Sequence, residues 1–317
     1  GWKGLEAPIP SLALPAVDRL GLISDAFALA KAGMMDTTVV LDLCQAYKSN
    51  EECKPVWDAV SSGLGEVSEI CSSCDFFPKY EAFCGEVFAD LFAKLGWFGP
   101  DDEPDLRKQL RSMCLGASAK YGNKGVIDES LKKFDAYVEG GELDSDLRKV
   151  VFTCAVKFGG KSQFDKMLAL YESLADKDPH LQMIALQACG MTREKELIEK
   201  YLEFGFSGKV RPNNLLYVFA TLAGNSAARD IAWDFVKANW KSKIIPMFEG
   251  SHALLGYMVA LPIRGFVTFE KADDAEAFFA KNPVPSATMK LKQTLESIRT
   301  KAAWLDREKE KLATYFE

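Results

Sequence analysis

The stretch Ala16-Val17-Asp18-Arg19-Leu20-Gly21-Leu22-Ile23-Ser24-Asp25-Ala26-Phe27-Ala28-Leu29-Ala30-Lys31-Ala32-Gly33 decides the fold class. Val17, Leu20, Ile23, Phe27 and Ala30 recur at intervals of three and four, which puts them on one side of a helix. Gly33 follows the last apolar position, where a helix end favours a residue that accepts the left-handed conformation.

The same punctuation repeats outward along the chain. Asp36-Thr37-Thr38 before Val39–Tyr47, Asp144-Ser145 before Leu147–Phe158, and Asn225-Ser226 before Ala227–Trp240 each offer side-chain oxygens to the unpaired N–H groups of a helix start. Gly33, Gly96, Gly122, Gly140-Gly141, Gly159-Gly160, Gly205 and Gly208 fall where the periodicity breaks and are expected to stop helices. Alternating, strand-like stretches are scarce. Pairing neighbouring helices gives units of about 30 to 45 residues, the spacing of stacked helical hairpins. The predicted fold is therefore all-α: a HEAT/armadillo-like superhelical stack of antiparallel helix pairs forming a concave bowl, with a long C-terminal helix.

Residues 1–14 carry no helical pattern and read as an irregular entry segment or an added remnant, with the natural protein continuing upstream. Residues 15–317 form the helical domain. Within it the polar loop 96–105, with Gly99-Pro100-Asp101-Asp102-Glu103-Pro104, is a possible boundary between sub-layers. After Pro283-Val284-Pro285-Ser286, one face carrying Leu291, Leu295, Ile298, Ala302, Leu305, Leu312 and Phe316 marks the final helix, placed to brace the preceding pairs or cap the array.

Composition narrows the function. An apolar content of 48% over 317 residues suffices for a continuous core. A net charge of −6 announces no basic surface for nucleic acid or anionic membrane. No apolar run approaches the roughly 20 residues of a membrane span. The eight cysteines sit mostly in apolar helical patterns, as reduced core thiols of a soluble cytoplasmic protein do.

The sequence offers little catalytic chemistry. Only His180 and His252 occur, neither in a His-Glu-x-x-His helix, whereas a catalytic zinc normally takes three protein ligands. Both fall near helix starts, where surface or capping roles are expected. Cys71-x-x-Cys74 is the best metal or redox candidate, since two thiolates so spaced can grip one zinc or exchange as a dithiol. It has no second pair at zinc-ribbon spacing and no βαβ setting, so a structural role is favoured. Gly159-Gly160-Lys161-Ser162 resembles the end of a phosphate loop, but Ala155 replaces the opening glycine and the preceding segment is helical. No catalytic residue and no cofactor site is assigned.

Several strings, in order, go further: Leu14-Pro15-Ala16-Val17-Asp18-Arg19-Leu20-Gly21-Leu22, Leu95-Gly96-Trp97, Leu147-Arg148-Lys149-Val150-Val151, Val210-Arg211-Pro212, Ala232-Trp233-Asp234-Phe235-Val236-Lys237-Ala238-Asn239-Trp240, Pro283-Val284-Pro285-Ser286-Ala287 and Ala302-Ala303-Trp304-Leu305-Asp306-Arg307. From about Leu14 onward the chain resembles the C-terminal helical domain of the puromycin-sensitive aminopeptidases, in the group that includes the oxytocinase-type and endoplasmic-reticulum enzymes. The resemblance implies a non-catalytic domain that encloses the active-site chamber of a zinc aminopeptidase, gates access and meets the distal part of peptide substrates. It implies zinc only in the parent's catalytic domain, and as partners the N-terminal catalytic domains and peptides, with neither nucleic acid nor membrane. Arg148 and Arg229, in family-like strings, are the candidates to pair with a peptide carboxylate, against packing or helix-terminus roles. Asp18 and Arg19 are expected to fix the domain entry. A freestanding helical scaffold binding a protein or peptide on its concave face is the alternative.

Overall fold

The computed structural model describes residue 4 and residues 8–317. Of the entry segment, residues 1–3 and 5–7 lie outside that description, and residues 8–14 form turns with Ile9 buried. The helices are α1 (Ala16–Ala32), α2 (Thr37–Tyr47), α3 (Lys54–Cys71), α4 (Phe77–Leu95), α5 (Asp105–Lys120), α6 (Lys124–Val138), α7 (Ser145–Ser173), α8 (Pro179–Cys189), α9 (Lys195–Gly205), α10 (Pro212–Gly224), α11 (Arg229–Asn239), α12 (Ile245–Met247), α13 (His252–Ala260), α14 (Phe269–Lys281) and α15 (Thr288–Tyr315). A π-helical turn, Trp240–Ile244, and a 3-10 turn, Pro285–Ala287, complete them, and no strand occurs among the described residues. The fold is an all-α, repeat-like domain, as the periodicity predicts.

The chain divides into two compact units. The first comprises Gly1–Glu129, Ser145–Val150 and Ala303–Glu317; the second comprises Ser130–Asp144 and Val151–Ala302. The loop at 96–105 joins α4 to α5 inside the first unit, and those two helices pack directly on one another.

In the first unit α1 lies against α2 and α3, and α3 against α4 and α5. The α1–α3 contact is close because the Phe27 ring occupies the space over Gly63: a Cβ there would stand 2.2 Å from the ring. Ile23, Ala26 and Ala30 of α1 and Val60, Leu64 and Val67 of α3 are fully buried, each larger aliphatic side chain contributing about 1.5–3 kcal/mol. Trp57 meets Phe88 at 5.3 Å, and Phe88 stacks on Tyr121 at 6.0 Å. Val17, counted on the apolar face by its spacing, is instead 70% exposed. Position 19 turns inward in its place, because the Arg19 guanidinium is neutralised inside the unit by Glu51.

The final turns of α15 belong to this unit. Trp304 Nε1 donates to Thr37 Oγ1 at 2.9 Å, and Phe316 packs its ring against Phe76, Tyr80 and Phe83. Of the predicted C-terminal face, Leu295, Ile298, Ala302, Leu305, Leu312 and Phe316 are buried, and Leu291 is half-buried.

The second unit is built from helix pairs. The pairs α8/α9, α10/α11 and α13/α14 begin at Pro179, Pro212 and His252, the interval expected of stacked hairpins. They form two layers: α10 packs between α8 and α13, while α11 packs on α9 and, through Trp233 against Phe278 and Phe279, on α14. Asn225 stitches successive pairs, its Nδ2 donating to the carbonyls of Gly190 at 3.0 Å and Thr192 at 2.7 Å.

Some expected helix signals act differently. Asn225 accepts the Ala227 N–H through Oδ1 at 3.2 Å as expected, but its Nδ2 bridges hairpins, and α11 starts only at Arg229 after an intervening turn. Asp36 precedes α2 but does not cap it with its own side chain; that first turn is served by Glu308. Gly205 is the last helical residue of α9 and packs beside Leu215 instead of turning left-handed. Gly160 does break its helix: α7 is interrupted there at φ 70°, ψ −156°, a conformation only glycine adopts readily.

Candidate functional site

Cys71 closes α3 and Cys74 follows one turn later, the Cys74 N–H donating to the Cys71 carbonyl at 2.8 Å. Their thiols are hydrogen-bonded to one another. Cys71 is wholly buried and Cys74 is 9% exposed. The bond lets one sulfur keep the proton while the other gains negative character. Cys71 is pushed up, by that bond and then by burial; Cys74 is lowered to about 7, by the same bond, assisted by Lys309 against the cost of burial. Burial pushes up the thiols of Cys44, Cys84, Cys114, Cys154 and Cys189.

Arg148 lies in the first turn of α7, in the first unit, and is half-buried. Arg229 opens α11 in the second unit, is 8% exposed, and donates through Nε to the Ala223 carbonyl at 3.0 Å. That carbonyl lies in the last turn of α10, where the intrahelical ladder runs out. Through this bond Arg229 reaches the end of α10.

The two layers of the second unit differ in charge. The helices α8, α10 and α13 contain no Asp, Glu, Lys or Arg. The facing layer is laden: Lys195, Glu196, Glu199, Lys200 and Glu203 in α9; Arg229, Asp230, Asp234 and Lys237 in α11; Glu270, Lys271, Asp273, Asp274, Glu276 and Lys281 in α14. An ordinary solvated helix surface carries charge. The α8–α10–α13 surface instead presents Met183, Ile184, Gln187, Thr221 and the rings of Tyr217 and Tyr257, the last two 45% and 46% exposed. This segregation is visible in the sequence, but only once the segments are sorted by layer.

A family model described as an ERAP1-like C-terminal domain matches residues 1–300. The chain belongs to that family. Similar proteins include the alanine/arginine aminopeptidase of Saccharomyces cerevisiae, 25% identical over 306 residues, covering 95% of this chain and 35% of that protein. Aminopeptidase M1 of Arabidopsis thaliana is 26% identical, covering 96% of this chain and 35% of its own length. The puromycin-sensitive aminopeptidase of Caenorhabditis elegans is 26% identical, covering 95% and 33%. The chain thus spans about a third of the length of the curated relatives it matches.

The two histidines of this ERAP1-like C-terminal domain lie on separate helices. His180 sits exposed in the first turn of α8, where Asp178 accepts the Leu181 N–H at 2.9 Å, and His252 sits exposed at the start of α13. No group of three or more His, Cys, Asp or Glu able to hold a metal ion occurs among the described residues. Gly159-Gly160-Lys161-Ser162 lies within the interrupted helix α7, without the strand a phosphate loop requires. Among the described residues no helix is long and apolar enough to cross a membrane.

Proposed function

We propose that this chain is the non-catalytic C-terminal domain of a cytosolic zinc aminopeptidase, one that encloses the active-site chamber, gates access to it and contacts the distal part of peptide substrates. The parent enzyme would remove N-terminal amino acids from peptides. The observation that carries this reading is the asymmetry of the match: almost the whole chain aligns, but to only about a third of proteins named as aminopeptidases. The metal and the residues that activate water would come from the remaining part, zinc polarising the scissile carbonyl and water there. This chain's residues bind and position.

The uncharged layer supports the substrate-facing role. Helices with no Asp, Glu, Lys or Arg of their own, presenting tyrosine rings and amides with Lys290 lying over the Tyr257 ring at 3.3 Å, suit peptides of varied sequence because few charges must be matched on the ligand. We assign this wall to α8, α10 and α13, and the concave bowl expected of stacked hairpins belongs to the same proposal. Arg148 would take a peptide carboxylate.

The test is hydrolysis of aminoacyl-coumarin substrates and of a peptide length series by the purified chain with zinc, before and after mixing with the separately produced catalytic part. The expected result is no turnover by the chain alone and altered length dependence on mixing. Turnover by the chain alone overturns the proposal.

A further inference from the structure

We propose that Cys71 and Cys74 form a reversible redox pair, with Cys74 the sulfur that reacts first with a small-molecule disulfide and Cys71 the sulfur that resolves the adduct. The geometry of the turn carries this. The pair brackets a single hydrogen-bonded turn, Cys74 N–H to Cys71 carbonyl at 2.8 Å, and such a turn keeps its end Cα atoms below about 7 Å. A disulfide needs a Cα separation of about 4.4–6.8 Å, a range that such a turn overlaps. Cys71 is wholly buried while Cys74 keeps 9% of its surface, the difference in access that separates a resolving from an attacking cysteine.

The environment favours that order. Lys309, from the last turns of α15, stabilises a thiolate at Cys74, and the proton retained by Cys71 is donated toward it. Asp75 opposes but does not reverse this. The competing cysteine by access is Cys53, which is half-buried at the start of α3.

The exchange balances with glutathione disulfide as oxidant. The Cys74 thiolate attacks one sulfur of the disulfide; its S–S bond breaks, a mixed disulfide forms on Cys74, and one glutathione thiolate leaves and is protonated. Cys71 then gives up its proton, its sulfur attacks Cys74 Sγ, and the second glutathione leaves as thiolate and takes a proton. The cysteines lose two electrons and two protons, which end on two glutathione thiols.

The 317-residue chain is incubated with glutathione disulfide at neutral pH, remaining thiols are alkylated, and the products are read by intact mass and peptide fragmentation. The expected product has lost two hydrogens, with the link between Cys71 and Cys74, and alkylation of Cys74 falls by at least about tenfold, the response of a fully consumed thiolate. Cys71→Ser, or Cys71→Ala if serine perturbs folding by circular dichroism, is expected to stall with glutathione retained on Cys74. Cys74→Ser is expected to form neither product. A wild-type product with glutathione on Cys53 and Cys74 still fully alkylated overturns the proposal, as does failure of the Cys71 variants to trap the adduct.

Discussion

Arg19 and Glu51 meet in a two-point ion pair inside the first unit, Nε to Oε2 at 2.6 Å and the terminal nitrogen to Oε1 at 3.0 Å, their side chains only 8% and 2% exposed. Glu51 also accepts the N–H groups of Glu52 and Cys53 at the entry to α3, and Arg19 accepts at its own carbonyl the Tyr47 hydroxyl, at 2.8 Å. The pair ties α1, α2 and α3 together. Its worth lies in completeness: removing one partner strands a buried charge, whereas removing both strands none. Glu51→Ala should lower the urea midpoint by the equivalent of about 3–4 kcal/mol, and Arg19→Met with Glu51→Leu should restore all but about 1 kcal/mol. A double variant as unstable as the single one would assign the loss to the α3 entry instead.

Glu308 supplies the start of α2 from the other end of the chain, accepting the Thr37 N–H at 2.6 Å with its side chain 3% exposed. Asp36, the expected capping residue, instead pairs with Lys311. Glu308→Leu removes both the acceptor and a negative charge at a helix N-terminus and should cost about 1–2 kcal/mol. Glu308→Gln keeps an acceptor and should cost less. Amide hydrogen exchange at Thr37 reads the effect directly, because its protection should fall in the leucine variant ahead of that of the α2 interior.

These two relationships show where sequence reading stops. The helices themselves were legible from Val17 to Phe316 because a period of 3.6 is a local property, and Gly33 and Gly160 mark breaks through backbone conformations that are also local. Thr37 and Glu308 are 271 positions apart, and no local signal says that a glutamate on the last helix outcompetes an aspartate beside the first residue of α2. Arg19 shows the same limit: spacing put Val17 on the buried face because spacing does not register that a guanidinium can be neutralised inside. At the candidate site the residue types were legible, Cys71 and Cys74 included. Which of the two cysteines is the more deeply buried, and that Arg229 donates to a backbone carbonyl, depend on packing.

Asp274 gives a pH-dependent prediction in the second unit. It accepts the Trp233 indole N–H at 2.7 Å and lies 3.2 Å from Lys237. The indole bond, followed by Lys237, holds its carboxyl below the usual range despite some burial. A carboxyl lowered in the folded state contributes stability above its unfolded value of about 3.9, and that contribution is lost as pH falls through the lower folded value. Asp274→Asn should therefore cost about 0.5–1 kcal/mol above about pH 5, a modest figure because the side chain is 43% exposed. The two stability curves should converge in acid. A difference that persists undiminished below the folded value would trace the loss to packing against Trp233.

Arg148 and Arg229 should separate a substrate contact from a structural one. Arg229→Met leaves the Ala223 carbonyl without its 3.0 Å donor inside the second unit and should destabilise the chain by about 1–3 kcal/mol, the cost of an unsatisfied buried acceptor. In the enzyme reassembled from catalytic and C-terminal parts, its effect on peptide turnover should follow the fraction folded and vanish at lower temperature. Arg148, half-buried at the start of α7, is the residue we expect to act on substrate. Arg148→Met should raise KM about tenfold for peptides with a free C-terminal carboxylate, the loss of about one charge-assisted hydrogen bond. Amidated peptides and aminoacyl-coumarins, which lack that carboxylate, should be turned over as before. An equal rise for free and amidated peptides would remove Arg148 from the substrate.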